Sequence, residues 1–199
     1  MKSNHRVIIT DIDGVMLDWE AGFHNWMADR GHELQIQPED FGWDIGERFL
    51  ISEQEGRRMI QIFNQSAIIG YLPAFRDAQH YASRLVAEGY KFVAITSLGT
   101  EPYAVKLRKK NLADVFGDDA FLDVHCLPLA AGKRTELEHY AEIYPGAVWI
   151  EDKPENALLG MELGYHTILM QHPHNTEYAD QVHFCAQNWR DIHEYITSL

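Results

Sequence analysis

Two aspartates, Asp11 and Asp13, stand one residue apart at the exit of the hydrophobic run Val7-Ile8-Ile9-Thr10, and Gly14 follows at once. Side chains alternate along a strand, so both carboxylates project the same way if the extended geometry continues past Thr10, and Gly14 lets the chain turn away. In an open parallel sheet ligands collect in the crevice outside the carboxyl ends of the strands, which makes this pair a candidate cation or phosphate site; the same residues also suit a solvated turn. Further polar groups follow other strand-like runs: Thr96-Ser97 after 90–95, Lys133 after 121–127 and Glu151-Asp152 after 147–150. Carboxylates in an oxygen-rich group suit magnesium, which takes hard ligands, while hydroxyls and an ammonium suit a phosphoryl group. At about 4 Å and an effective dielectric near 20, each cation–anion contact is worth about 4 kcal/mol before desolvation, and unaccompanied acids repel by a similar amount. The set makes electrostatic sense when metal, lysine and phosphate are counted together.

The elements that must position these groups alternate strand and helix. An amphipathic helix over 17–30 carries Trp19, Phe23, Trp26 and Met27 at helical spacing, and 32–51 reads as an aromatic-rich loop with Pro38, Gly42 and Gly46 among Phe41, Trp43 and Phe49. Ser52 with Glu55 three residues on opens a further helix as a capping box. Helices over 75–88, 101–111, 133–144, 154–163 and 189–196 are interleaved with strands over 90–95, 121–127, 147–150, 166–170 and 182–185. This alternation predicts a Rossmann-like α/β fold, a parallel sheet core flanked by helices with right-handed crossovers. The stretch 17–72 is longer than a crossover needs, which makes it a candidate lid. On the 101–111 helix, Lys106, Arg108, Lys109 and Lys110 read as a basic helix with a solvated face.

The 199 residues suffice for one domain with an insertion, and 46% hydrophobic residues suffice for a sizeable core. Thirty acidic against seventeen basic residues, a formal charge of −13, repel the backbone of a polymeric nucleic acid but leave room for a local pocket that takes a small anion. Two cysteines, Cys126 and Cys185, suggest neither a disulfide framework nor a zinc site. With no apolar leader and no run of membrane-spanning length, the sequence predicts a soluble, cytoplasmic protein with no membrane partner. The oligomeric state stays open, a homodimer included.

Taken together and in this order, Asp11-x-Asp13-Gly14-Val15, Thr96-Ser97, Lys133 and Glu151-Asp152 resemble the four motifs of the haloacid dehalogenase superfamily of phosphotransferases. Within it, Asp18-Trp19, Ile51-Ser52-Glu53, Tyr71-Leu72-Pro73 and Asn188-Trp189-Arg190-Asp191-Ile192 are similar to the 5'(3')-deoxyribonucleotidase and small 5'-nucleotidase group. The resemblance implies a catalytic core of 1–16 and 73–199 and a helical cap of 17–72. It implies Asp11 as nucleophile through an aspartyl phosphate and Asp13 as general acid and base. It also implies magnesium held by Asp11, the Asp13 carbonyl and Asp152, with Thr96, Ser97 and Lys133 on the phosphoryl oxygens. Glu151 is a ligand, a water-mediated contact or an orienter. Asn156 stands where some relatives keep a second acid, and Lys133 is favoured over Lys106 for the phosphate. Trp19, Phe41, Trp43, Phe49 and Phe63 are candidates to stack on a nucleobase; for Trp26 and Phe63 the core is preferred, and for Trp19 and Trp43 both readings stand. The eleven histidines, His172 and His174 among them, read as scattered surface residues. The expected function is a magnesium-dependent phosphomonoesterase acting on nucleoside monophosphates. The alternatives are a phosphatase of another small metabolite and a non-catalytic phosphate-binding domain.

Overall fold

The computed structural model describes residues 6–36 and 45–199. Six strands, β1 (Val7–Thr10), β2 (Lys91–Thr96), β3 (Phe121–Cys126), β4 (Val148–Glu151), β5 (His166–Met170) and β6 (Phe184–Ala186), form one parallel sheet in the order β3-β2-β1-β4-β5-β6. The first strand lies inside the sheet, and its alternate residues serve two cores. Ile8 packs into one buried cluster with Phe92, Ala94, Ile150 and Ile168, whereas Val7 and Ile9 pack into another with Val93, Ile95, Trp149 and Tyr165. Helices α4 (Ala78–Ala87), α5 (Pro102–Phe116) and α8 (Trp189–Ser198) contribute to the first cluster, and α6 (Arg134–Ile143) and α7 (Pro154–Glu162) flank the second. Prolines open α5 and α7, where a missing N–H costs nothing.

Between β1 and β2 lie α1 (Trp19–Ala28), α2 (Ile45–Phe49) and α3 (Glu53–Asn64). The Ser52 hydroxyl accepts from the Glu55 amide at 3.2 Å, the cap read from the sequence. The expected loop over 32–51 contains α2 instead, and Phe49 is a core residue, 5% exposed and edge-on to Phe23, not a binding wall. Ile45 and Phe49 lie four apart and share one buried helix face, a signal too short to register as a period. Phe41 and Trp43 lie outside the described residues. Trp26 and Phe63 are buried, as preferred, around Phe23. The segment leaves and rejoins the sheet at one place, since Asp18 N donates to Pro73 O at 2.9 Å and Phe75 N to Met16 O at 2.8 Å. Among the described residues no helix is long and apolar enough to cross a membrane, and Cys126 and Cys185 are free.

The second core tolerates little added volume beneath β4. A Cβ on Gly160 of α7 would sit 2.4 Å from Trp149 Cδ1 and 2.8 Å from Thr167 Oγ1. Gly160→Ala is therefore expected to lower stability by about 1–3 kcal/mol through overpacking. Its urea midpoint should fall; an unchanged midpoint would show that the Trp149 face has slack.

Candidate active site

The chain order reverses on either side of β1, and the acidic loop that leaves this strand is held from several directions. Asp11 N donates to Ile150 O of β4 at 2.8 Å, the Trp189 indole N–H to Val15 O at 2.7 Å, and His172 Nε2 lies 2.8 Å from Gly14 O. Gly14 has a φ of +78°, and a Cβ there would lie 2.7 Å from Asp152 Oδ2, so no larger residue fits without displacing that carboxylate.

The sequence candidates on the strand ends meet at the floor of one cavity of about 570 Å3, which Asp11, Asp13, Thr96, Ser97, Lys133 and Asp152 all line. Lys133 Nζ is 2.8 Å from Asp11 Oδ2 and 2.8 Å from Glu151 Oε2, with Lys133 and Glu151 almost fully enclosed. The other Glu151 oxygen accepts from Asp152 N at 3.0 Å and Lys153 N at 3.1 Å. Thr96 Oγ1 approaches Asp13 Oδ2 at 3.4 Å, and Ser97 Oγ donates to Ala131 O at 3.2 Å. Lys106 is exposed, and Asn156 is not among the described residues lining the cavity.

Electrostatics here are unbalanced. Burial first, and then the Glu151 charge, pushes the Asp11 carboxyl up to about 7 against the pull of Lys133; burial likewise pushes Asp152 up to about 6. Burial works against the Lys133 charge, yet Asp11 and Glu151 together raise its pKa. Asp11, Glu151 and Asp152 each offer an oxygen within 4.8 Å of the others, a spacing at which two ionised carboxylates repel by about 3–4 kcal/mol at an effective dielectric of 20. One ammonium does not neutralise three such groups. Asp152 Oδ1 is buried and has no hydrogen-bond partner among the described residues. A hard-oxygen donor set with an orphaned carboxylate oxygen fits a divalent cation of the magnesium or calcium type.

Several residues of the site escaped the sequence reading. Arg108, one of four basic residues on the 101–111 helix, is 0% exposed and bound to both oxygens of Asp13, Nη1 to Oδ1 at 2.6 Å and Nη2 to Oδ2 at 3.1 Å. The signal was present: Ala104, Arg108 and Leu112 are spaced by four along the buried face of α5. His172 is buried instead of scattered on the surface, stacked between Phe75 and His174, and both histidines line the cavity. Asn175 is wholly buried and donates to Asp152 O at 2.7 Å and Met170 O at 2.9 Å, which holds the acidic turn after β4. Asn64 accepts from Trp19 Nε1 at 2.8 Å and donates to Leu98 O at 3.0 Å, tying α3 to the loop after β2. Trp19 is half-buried, stacks on Phe23 with centroids 4.7 Å apart, and lines the cavity, so it is both packing and wall. The rest of the roof includes Glu20, Arg48, Arg57 and Ile60, with Arg48 ion-paired to Glu20.

A parallel sheet of this order, with acids, hydroxyls and a buried lysine gathered on its carboxyl edge, is a fold of the haloacid dehalogenase type. Solved structures agree on the fold. A haloacid dehalogenase-like hydrolase from Streptococcus pneumoniae superposes with a TM-score of 0.67 at 14% identity, covering 96% of this chain and 97% of that one. A predicted phosphatase from Clostridium acetobutylicum gives 0.70 at 14% identity over 99% and 100% of the two chains. A hydrolase of the same family from Deinococcus radiodurans, solved with bound phosphate and sodium, gives 0.62 at 15% identity over 98% and 96%. The family model described as 5' nucleotidase, deoxy (pyrimidine), cytosolic type C protein matches residues 5–199, and the chain belongs to that family. An uncharacterised 32.4 kDa protein of enterobacteria phage T4 is 33% identical over 150 residues, 73% of this chain and 53% of that protein, so the chain spans about half the length of this curated relative.

Next to the roof residue Glu20, with its Nε2 3.7 Å from Glu20 Oε1, stands a titratable group with a defined consequence. His24 lies edge-on to Phe49, and burial first, then the Arg48 guanidinium, lowers its pKa from 6.5 to about 4. The unfolded chain therefore takes up this proton before the folded one does. The His24 contribution to stability is complete above pH 6.5 and is lost as pH falls from there to about 4. Urea unfolding across that window should show wild type losing stability relative to His24→Phe; parallel curves would remove His24 from the balance.

Proposed function

We propose that this protein is a magnesium-dependent phosphomonoesterase whose substrates are nucleoside 5'-monophosphates, ribo or deoxyribo. The observation that carries the reading is the convergence of Asp11, Asp13, Thr96, Lys133 and Asp152 on one cavity floor. Membership of the 5'-nucleotidase family supports the substrate class. The cavity is of the size that holds a small organic ligand, and phosphate is bound in the related Deinococcus hydrolase.

In this reading Asp11 attacks phosphorus and is carried as an aspartyl phosphate, which splits one displacement into two. Lys133, fixed by Glu151, keeps a cation 2.8 Å from the attacking carboxylate and accompanies it against the incoming dianion. Glu151 is thus an orienter, since its oxygens already serve Lys133 and two amides. Thr96 and Ser97 offer hydroxyls to the phosphoryl oxygens, the positioning on which phosphoryl transfer mostly depends. Asp13 gives a proton to the departing ester oxygen and takes one from the water that follows. A magnesium ion held by Asp11, Asp152 and the Asp13 carbonyl would supply the remaining charge neutralisation. Residues 17–72 act as a cap hinged at the paired Met16–Phe75 and Asp18–Pro73 contacts, with Trp19 and, from the sequence, Trp43 as base-stacking residues. Free cysteines favour a cytoplasmic setting. The Arg48–Glu20 pair in the roof favours, as a second reading, a small phosphorylated metabolite with a further polar or anionic group.

Phosphate release from a panel of nucleoside monophosphates and sugar phosphates, each with magnesium and with a chelator, separates these readings. Turnover concentrated on nucleotides and abolished by chelation is expected, and Asp11→Asn should abolish it with the fold intact. Activity confined to sugar phosphates would favour the second reading, and none on either would leave a phosphate-binding domain. Trp19→Ala should raise KM for a nucleotide by roughly 5- to 150-fold, the worth of about 1–3 kcal/mol of stacking, and leave KM for a small generic ester nearly unchanged. Equal effects on both esters would assign Trp19 to packing alone.

A further inference from the structure

A fully buried cation on α5 serves the second aspartate of the cavity floor. Arg108 is 0% exposed, and its Nε has no hydrogen-bond partner among the described residues. Its two terminal nitrogens are committed to Asp13, whose side chain remains 24% exposed toward the cavity. A guanidinium stripped of water is costly unless paired with good geometry, and the planar fork sets the plane of the carboxylate it grips as a single ammonium would not. The grip is unequal. Oδ1 is held at 2.6 Å, while Oδ2 is held at 3.1 Å and lies 3.4 Å from the Thr96 hydroxyl.

Resting on the phosphomonoesterase reading above, we propose that Arg108 is the positioning residue for proton transfer: it anchors Asp13 through Oδ1 and leaves Oδ2, on the Thr96 side, as the oxygen that exchanges the proton. In the first half-reaction the Asp11–phosphorus bond forms, the phosphorus–ester oxygen bond breaks, and the Asp13 proton passes to that ester oxygen. In the second, water adds to phosphorus, its proton returns to Asp13, and the Asp11–phosphorus bond breaks with release of phosphate. Arg108 touches neither substrate nor phosphorus in either; through its close grip on Oδ1 and its longer contact to Oδ2 it sets where Oδ2 stands.

An alkoxide leaving group needs the proton, whereas p-nitrophenolate does not. The test therefore compares single-turnover alcohol release from a nucleoside 5'-monophosphate with the first-turnover burst from p-nitrophenyl phosphate, for wild type, Arg108→Met and Arg108→Lys. Arg108→Met is expected to lose about 100-fold or more on the nucleotide, within the range general acid catalysis contributes, with KM changed less than about threefold and the burst rate retained. Arg108→Lys should fall between, because an ammonium holds one oxygen without setting the plane. If Arg108→Met does not fold by circular dichroism, the same selective loss in Arg108→Lys carries the test. Equal losses on both esters, or none on the nucleotide, would overturn the role of Arg108 in a working enzyme. Wild type inert on both esters would overturn the underlying reaction instead, and the proposal with it.

Discussion

A lysine without water must be surrounded by acids, and this molecule is arranged around that requirement. Lys133 follows β3, an edge strand two places from β1, or about 10 Å away at the usual strand spacing. Its ammonium nevertheless reaches Asp11 at the end of β1 and Glu151 at the end of β4. The span is closed by folding the 127–133 loop back over the end of β2, where Leu127 N bonds Thr96 O, Gly99 N bonds Leu127 O and Ser97 reaches Ala131. Removing the lysine would leave Asp11 and Glu151 buried without their cation, so this one contact constrains the ends of three strands together.

The remaining architecture keeps the acidic turn from relaxing. A parallel sheet with apolar residues on both faces provides a rigid base, and its alternation sends Ile8 to one core and Ile9 to the other while Asp11 emerges at the edge. The turn itself is gripped by β4, by the indole of the last helix and by a histidine lying between two other rings. Each of these is a hydrogen bond to backbone, which holds position without consuming the carboxylates. Main-chain groups thus hold the path of the turn, while the carboxylates of Asp11 and Asp13 are held by Lys133 and Arg108.

Much of this was legible in the residues. Strand–helix alternation gave the parallel sheet, and the four polar strand ends gave the floor of the cavity, because a period of two and a shared edge follow from local pattern alone. What escaped depends on partners distant in sequence. Arg108 reads as one more charge on a basic helix until Asp13 stands opposite it, and Asn175 reads as loop until the carbonyls of Asp152 and Met170 surround it. Phe49 reads as a stacking candidate in a loop because one helical turn is too short to show a period, and its burial is decided by Phe23 on another helix. Polar residues inside an apolar stripe carry the recoverable signal, for each must find a counterpart somewhere in the fold.

The two crossing contacts at Met16–Phe75 and Asp18–Pro73 bring together the ends of a segment more than fifty residues long. Loop-closure entropy rises only with the logarithm of length, so a segment entering and leaving at one point can grow, shrink or be exchanged at a modest entropic cost to the sheet. The acidic floor and its roof are in this sense separable inheritances. Selection on what enters the cavity can act on helices α1 to α3 while the buried lysine and its acids stay as they are.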